Sequence, residues 1–595
     1  MVPDLDAPAL SIKPGEPWVL LDDARDGGTG TLFTRPTHQL TAEWREDVPE
    51  LLAALDRVAA DGRIAAGWLA YEAGRPPGAP DQPNGGPLGW FGVFDAGEAI
   101  ADVTARLPPA AGAAVVSLTP EIGRDEYNAM FDTVAEAIRA GTVYQANLTF
   151  GSAVAVAGDP LALYHRLRAR AAAEFCAIVW TGDRLILSFS PELFVERAGA
   201  RLTARPMKGT AARSDDPAAD RARARALAAD PKQLAENRII VDLIRNDLSR
   251  VSLAGSVRVE DAFAVECYPT VHQMTSTVRA TAGQRVRASD VLAALFPCGS
   301  ITGAPKIAAQ ELLAAIEPSP RGVYCGAIGR VGPGDRLALS VAIRTLELAP
   351  LSPIAGRHQA RLGLGSGVVA DSTAAAEWAE CLLKGRFVGE ARPAFDLIET
   401  MRYDPEGGVA RLDRHLARLG ASAAALGFAF DRHAVRNELQ AATFGRPSAA
   451  RVRLLLARSG AVAVELGPLP EPPARGWRVA LAPMTVPATD LRRVHKTTDR
   501  TFYDRPKRES AADEVVFVDG GQITEGSITS VFVERGGRLV TPPLAAGLIP
   551  GVLRAELLAD DRAVEGQLEP GDLTEGLWLG NSVRGLTQAR LAPVS

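Results

Sequence analysis

At residues 386–394 the sequence reads RFVGEARPA, and the orderly series of strand-like and helix-like segments before it breaks off. A new series begins with FDLIETMRYD and LDRHLARLGASAAALGF. A single hydrophobic core stops growing well short of 595 residues. The break therefore divides the chain into two packed units of roughly 390 and 200 residues. Both read as α plus β.

In the first unit, WVLLDD, GRIAAGWLAYEAG and LGWFGVF are strand-like, with Gly/Pro-rich loops around 74–88. Tyr127, Phe131, Val134 and Ile138 recur at helical spacing, and the pattern stops at Gly141. YQANLTF, FCAIVW, LILSFS and LFVER follow as strands. The polar segment 213–233 reads as a solvated loop or helix, and AENRIIVDLIRNDLSRV as a helix. SVAIRTLEL and LGLGSGVVA read as strands, and EWAECLLKG as a helix ending at Gly385. In the second unit the Pro-rich stretch GPLPEPPARGW, 467–477, is placed to link two subdomains. No dinucleotide GxGxxG fingerprint or GxxxxGK[ST] phosphate loop is present.

A net charge of −6 argues against an extended nucleic-acid surface but leaves room for a local basic pocket. No secretory leader and no apolar run of membrane-spanning length is visible, so no membrane association is expected. Five scattered cysteines without a CxxC fit a reduced cytoplasm rather than a zinc site or disulfide framework.

Basic residues number 65, yet lysine occupies only positions 13, 208, 232, 306, 384, 496 and 507. Arginine serves where positive charge suffices. Only lysine can act as a neutral amine nucleophile, so each surviving lysine is a candidate for that chemistry, against the plain alternative of random survival. Lys208 stands in a turn-like stretch, ARPMKGTAAR.

Glu236, Ile240, Leu243 and Asp247 share one helical face, and Glu377, Glu380 and Lys384 share another. Carboxylates facing each other from two helices can hold Mg²⁺, and the alternative is surface ion pairing. GSITGAPK, 299–306, can bring backbone N–H groups to an anion, and three glycines in GLGSGVVADS suggest close backbone approach to a ligand.

In order, SFSPELF, RPMKGTAAR, AENRIIVDLIRNDLSRV, VHQMTS, GSITGAPK, YCGAIG, VAIRTLEL, GSGVVADS and EWAECLLKG resemble the chorismate-utilising enzymes, which include anthranilate, isochorismate, salicylate and aminodeoxychorismate synthases. The likeness covers most of 120–385 within a unit of 1–388. It implies a large α/β sandwich with a Mg²⁺ site. Glu236 and Glu380 would be the metal ligands, with Glu377 close by. Lys384 and the backbone at Gly367 would assist at the ring carboxylate, and Arg344 and Tyr324 would hold the enolpyruvyl carboxylate. Thr302 and His272 fall at pocket positions, the role of His272 being open. Glu192 matches the family's general acid. The residue before GT separates branches: alanine in the anthranilate synthases, lysine in the aminodeoxychorismate synthases. Here it is Lys208, preceded by Met207 in place of isoleucine. Its amine would add at C2 and expel the C4 hydroxyl, and ammonia would then enter at C4. Lysine-bearing relatives that use water keep an isochorismate or salicylate reading open.

Residues 395–595 resemble the class IV pyridoxal-phosphate enzymes: branched-chain and D-amino acid transaminases and aminodeoxychorismate lyase. The likeness rests on FDLIETM, LDRHLARLGASAAALGF, VRLLL, HKTTDRTFY, ITEGSITSVF, PPLAAGLIPGVLR and WLGNSVRG. It implies an α+β fold of two subdomains and pyridoxal 5′-phosphate (PLP) bound covalently to Lys496. Glu525 would pair with the pyridine nitrogen. Arg418, Ile528, Thr529 and the backbone at Val552 and Leu553 would hold the phosphate. Ser530 stands where relatives often have asparagine. NSVRG looks more like the lyase, and so does the fusion itself. The expectation is a bifunctional route from chorismate to 4-aminobenzoate, with ammonia from a separate glutamine amidotransferase subunit, since no glutaminase segment is visible. A transaminase or a PLP-free docking module is the alternative for the second unit. The oligomeric state stays open, a homodimer through the second unit being one option.

Overall fold

The structure is a computed structural model describing residues 9–25, 28–75, 86–268, 271–348, 357–392, 394–471, 476–574 and 576–592. Parts of the expected loops at 74–88 and of the Pro-rich stretch lie outside these residues.

The first unit is built on two ten-stranded sheets. In one, the long strand Gln145–Gly158 pairs antiparallel with Arg357–Val368 from Gly158's neighbour Ala157 down to Ala146. In the other, Met207–Ala212 and Val271–Thr281 lie at one end. Val19, Phe33 and Ile186 of the first sheet meet Trp68, Trp90 and Ile328 of the second in a dry layer between them. The outer face of the first sheet is covered by helices that include Arg124–Arg139 and Ala374–Gly389, and that of the second by helices that include Val48–Ala60 and Pro231–Ser249. Strands buried on both faces explain the near-continuous apolar runs LILSFS and FCAIVW.

Two expected elements differ. SVAIRTLEL is not one strand. Arg336–Val341 belongs to the second sheet and Thr345–Leu348 to the first, so the chain crosses between layers at 342–344. Arg344 takes a left-handed conformation, φ 52°, at that crossing. The helix expected to end at Gly385 runs on to Gly389. Gly385 packs against Leu364, and Val388 one turn later is buried, so the helix is held by packing.

The second unit has a four-stranded sheet, Gly408–Val409 to Val462–Pro468, and an eight-stranded sheet that includes Trp477–Pro483. The Pro-rich stretch thus lies between strands of different sheets. Helices Leu412–Leu426 and Arg432–Thr443 pack on the smaller sheet, and Ala114 and Ala157 of the first unit join that core. Thr489 donates to Asp159, and Arg458 donates to the Val116 carbonyl at 3.2 Å across the same seam. All five cysteines are free, and only Cys267 is exposed. No helix among the described residues is long and apolar enough to cross a membrane.

Candidate active sites

Helix Pro231–Ser249 begins at Asp230, whose carboxylate caps the N–H of Lys232 at 2.9 Å, and buries the face carrying Glu236, Ile240 and Asp247. Helix Ala374–Gly389 places Glu377 in its first turn. Ser372 donates to Glu377 Oε1 at 2.7 Å, while Glu377 Oε2 is buried without a partner. The two helices meet through Lys232, whose Nζ lies 3.8 Å from Glu236 and 3.8 Å from Glu377. Lys384 pairs with Glu380 at 2.8 Å and donates to the Gly365 carbonyl at 3.0 Å. Burial pushes Glu236 up, against Lys208 and Lys232. Burial also pushes at Glu380, but Lys384, Lys208 and Lys232 outweigh it and hold that carboxyl below its ordinary value. The orphaned oxygen of Glu377 beside two further carboxylates suits a hard cation with oxygen ligands. No three such side chains among the described residues stand close enough to enclose a metal as they are. Asp247, on the same expected face, does not join this cluster. It pairs with Lys306 at 2.5 Å, and Lys306 also caps the Leu295 carbonyl, so this surviving lysine fastens the GSITGAPK loop.

Lys208 follows buried Met207 and precedes Gly209, whose φ of +89° needs glycine. Its Nζ comes within 3.3 Å of where a Cβ at Gly367 would lie, so the glycine strand does admit an incoming group. Glu192 is buried and accepts from Ser300 Oγ at 2.6 Å. Burial pushes its carboxyl up to about 7, against Ser300, Lys208, the Met207 N–H and Lys384. An acid that titrates near neutrality beside a lysine is suited to proton donation. Arg344 makes no ion pair among the described residues, and burial pushes its guanidinium pKa down from the ordinary value. The Tyr324 ring occupies the space above Gly363 that a side chain would fill. Thr302 is buried and its hydroxyl caps the Cys298 and Gly299 carbonyls at 3.2 Å. His272 is turned to Asp220, 2.9 Å from Nε2, and to Cys267, 3.3 Å from Nδ1. Ser300 was not singled out from sequence, and Lys232 only as one of the seven surviving lysines. The lysine shortage was the signal available for Lys232.

In the second unit, all seven expected cofactor residues line one cavity of about 380 Å³. Lys496 donates to Thr400 Oγ1 at 3.1 Å. Burial pushes its ammonium down to about 7, helped by Arg418, Arg500 and Arg453 and opposed by Glu399. Glu525 accepts from the Tyr503 hydroxyl and from the Ile549 N–H at 3.3 Å, and burial pushes it up to about 7. Arg418 spends N–H groups on Glu399, at 2.6 and 2.8 Å, and on the Pro550 carbonyl at 3.0 Å. Val552 and Leu553 open a helix at Gly551, leaving backbone N–H groups toward the cavity. Ser530 fills the space a side chain at Gly551 would need, so the serine fits this turn closely. The Thr529 hydroxyl is turned to Glu514 at 3.3 Å. A lysine whose ammonium is pushed down to about 7, a carboxyl and a helix N-terminus lining one cavity fit PLP.

Each unit thus brings together a cluster of ionisable side chains that includes a lysine, Lys208 in the first and Lys496 in the second. The description "chorismate binding enzyme" matches residues 16–390, and the chain belongs to that family. Residues 396–592 match "amino-transferase class IV", a domain type that implies PLP. Aminodeoxychorismate synthase component 1 of Salmonella typhimurium is 40% identical over 257 residues, 43% of this chain and 55% of that protein. Anthranilate synthase component 1 of Neisseria gonorrhoeae is 34% identical over 285 residues, 48% of this chain and 57% of that protein. The chain therefore spans about half the length of the curated relatives it matches. The solved anthranilate synthase component I of Streptococcus pneumoniae superposes with a TM-score of 0.51 at 25% identity, over 64% of this chain and 94% of that one.

Proposed function

We propose that residues 1–388 convert chorismate and ammonia to 4-amino-4-deoxychorismate and water, and that residues 395–595 release pyruvate from that product to leave 4-aminobenzoate. The observation that carries the reading is Lys208 beside Glu192 and the carboxylates of two facing helices. Lys208 Nζ attacks C2 as the Glu192 proton goes to the departing C4 hydroxyl. Ammonia then forms the C4–N bond as the Lys208 amine leaves C2. Glu236 and Glu380, with Glu377 near, would hold Mg²⁺, which when bound would neutralise the ring carboxylate. Arg344 and Tyr324 would take the enolpyruvyl carboxylate, and Lys384, Gly367, Thr302 and His272 would line the pocket. A separate glutamine amidotransferase supplies the ammonia.

In the second site Lys496, Glu525, Arg418, Ile528, Thr529, Val552 and Leu553 would hold PLP, which when bound serves as an electron sink. Lys496 Nζ takes the proton from C4, the C3–O bond breaks, and pyruvate leaves as the ring aromatises. The arginines around this cavity support a dianionic amine as substrate over a simple amino acid. Incubating the chain with chorismate, Mg²⁺, PLP and an ammonium salt should yield 4-aminobenzoate and pyruvate. Anthranilate as the product would overturn the branch, and transamination of D-alanine without pyruvate release from aminodeoxychorismate would overturn the lyase.

A further inference from the structure

Five guanidinium groups line the cavity around Lys496, and their charges are not equally balanced. Arg418 is held by Glu399 at 2.6 Å, Arg453 by Glu465 at 3.6 Å and Arg500 by Asp504 at 3.7 Å. Arg451 and Arg584 have no carboxylate partner among the described residues, and Arg584 Nε is buried without any hydrogen-bond acceptor. These two also stand near each other. Burial lowers the Arg584 pKa, Glu514 opposes the fall and Arg451 adds to it. Glu514 does not bond Arg584: it accepts from the N–H groups of Val515, Ser527 and Ile528 and from the hydroxyls of Ser527 and Thr529. Arg584 is half-buried and Arg451 exposed, so water screens part of their repulsion, and an arriving anion would relieve the rest.

Arg584 is also held in place. Arg584 sits in the NSVRG turn, where Asn581 Oδ1 accepts from the N–H groups of Val583 at 3.0 Å and Arg584 at 2.9 Å. Ser582 in the same turn is 2.7 Å from His415 Nε2, and His415 Nδ1 is 2.6 Å from Glu399, the carboxylate that also grips Arg418. The Arg584 guanidinium lies over Trp477 at 5.4 Å. Arg451 comes from the facing strand Ala450–Leu456, on the side opposite the core residues Val452 and Leu454 and next but one to Arg453. Neither arginine belongs to the proposed phosphate seat.

The geometry points to Arg451 and Arg584 as a carboxylate seat that takes a carboxylate of the substrate remote from its amine, selecting a cyclic dicarboxylate amine. This inference rests on the lyase reading of the same cavity. A guanidinium presents paired donors that match a carboxylate, and two of them on a fixed turn and a strand bind it with little ordering cost. An amino acid with one carboxylate, on the amine-bearing carbon itself, would leave the seat empty.

Chorismate carries both carboxylates but no amine, so it can occupy the cavity without reacting, and the absorbance of lysine-bound PLP reports this site while the first site stays silent in that band. The full chain loaded with PLP is titrated with chorismate, alongside Arg584→Gln, Arg451→Gln and Arg584→Lys. The expected result is a half-saturation at least about tenfold higher in both glutamine variants, a smaller rise in Arg584→Lys, and a PLP band of normal intensity in all three. An unperturbed band in the unmodified chain, half-saturation within twofold of it in both glutamine variants, or loss of PLP itself from those variants overturns the seat. Pyruvate release from aminodeoxychorismate separates the two readings. Arginine-dependent binding without pyruvate release keeps the seat and sinks the lyase. Pyruvate release with an unchanged KM in both variants keeps the lyase and sinks the seat.

Discussion

The two lysines that anchor the two sites live in opposite electrostatic surroundings. Lys208 stands near Glu192, Glu236 and Glu380, each of which feels its charge. Lys496 stands among Arg418, Arg500 and Arg453, with Glu399 opposing them. Both sites are proposed to take a dianion, and they meet that demand differently. The first is rich in carboxylates, and under the proposed function an added cation would offset them before a dianion binds. The second is already lined with guanidinium groups, and burial, helped by their field, holds Lys496 near the point where it can shed its proton.

The sharpest break of this comparison removes each lysine in turn. Lys208→Ala should abolish aminodeoxychorismate formation, a loss of several orders of magnitude, while leaving PLP absorbance and pyruvate release from supplied aminodeoxychorismate intact. Lys496→Ala should do the reverse. A parallel loss of both activities in either variant would show that the sites are not independent. Next in size, Glu192→Gln should cost roughly a hundredfold or more in the first step. Glu192 must carry its proton to act as an acid and burial pushes its carboxyl up to about 7, so at a fixed concentration of free ammonia the ratio of the unmodified rate to the Glu192→Gln rate should fall as pH rises through 7. A ratio that holds level from pH 6 to 9 would remove Glu192 from that role.

A smaller effect tests the carboxylate side alone. Glu377→Gln keeps the shape but removes the charge on the orphaned oxygen. Mn²⁺ binding, followed by its paramagnetic signal, should weaken about ten- to a hundredfold, with the second site untouched. Unchanged binding would mean that Glu377 only holds Ser372.

The guanidinium side has its own signature in stability. Lys496 drops from its ordinary 10.5 to about 7 on folding. Between those values the unfolded chain binds a proton that the folded site does not, so stability rises with pH from about 7 to 10.5 and this contribution vanishes below 7. Glu525 and Glu192 shift from 4.5 up to about 7, so each lowers stability as pH rises from 4.5 to 7. The PLP-free chain should therefore show a dip in thermal stability near pH 7, and Lys496→Met should lose the alkaline rise. A variant that keeps the rise would locate its cause elsewhere.

Much of this layout was legible in the sequence because chemistry and periodicity coincide there. Glu236 and Glu377 lie on helical faces that their spacing picks out, and the apolar runs FCAIVW and LILSFS read as strands. What stayed hidden depends on the third dimension. In SVAIRTLEL the apolar phase slips at Arg344–Thr345, from Val341 and Ile343 to Leu346 and Leu348, but a slip of phase alone does not say that the chain has changed sheet. Gly385 looked like a stop because a glycine's packing partner, Leu364, is distant in sequence. Lys232 stood out only as one of seven surviving lysines, in a segment that reads as a solvated loop or helix. A cation in the first turn of a helix opposes the helix dipole, so its place there makes sense only once Glu377 is seen arriving from another helix. The turning of His272 to Asp220 and Cys267 rests on a hairpin register that pairs residues 267 and 272 and on a helix lying over them.

The smallest effect concerns Met207. It is the one departure beside Lys208, and a shifted neighbour could in principle re-aim the amine. Met207 is 7% exposed and pairs with Thr275 across the sheet, so its backbone is fixed by the ladder rather than by its side chain. The aim of Lys208 is set instead by Gly209, whose left-handed turn is held by the Gln273 amide donating to its carbonyl at 2.9 Å. Met and Ile are close in volume, and such swaps in a packed site cost less than about 1.5 kcal/mol. Met207→Ile should therefore leave the first step within about threefold of the unmodified rate, whereas Gln273→Ala, which frees the Gly209 carbonyl, should lower it more. The reverse ranking in aminodeoxychorismate formation would show that the side chain before the lysine, and not the turn after it, aims the amine.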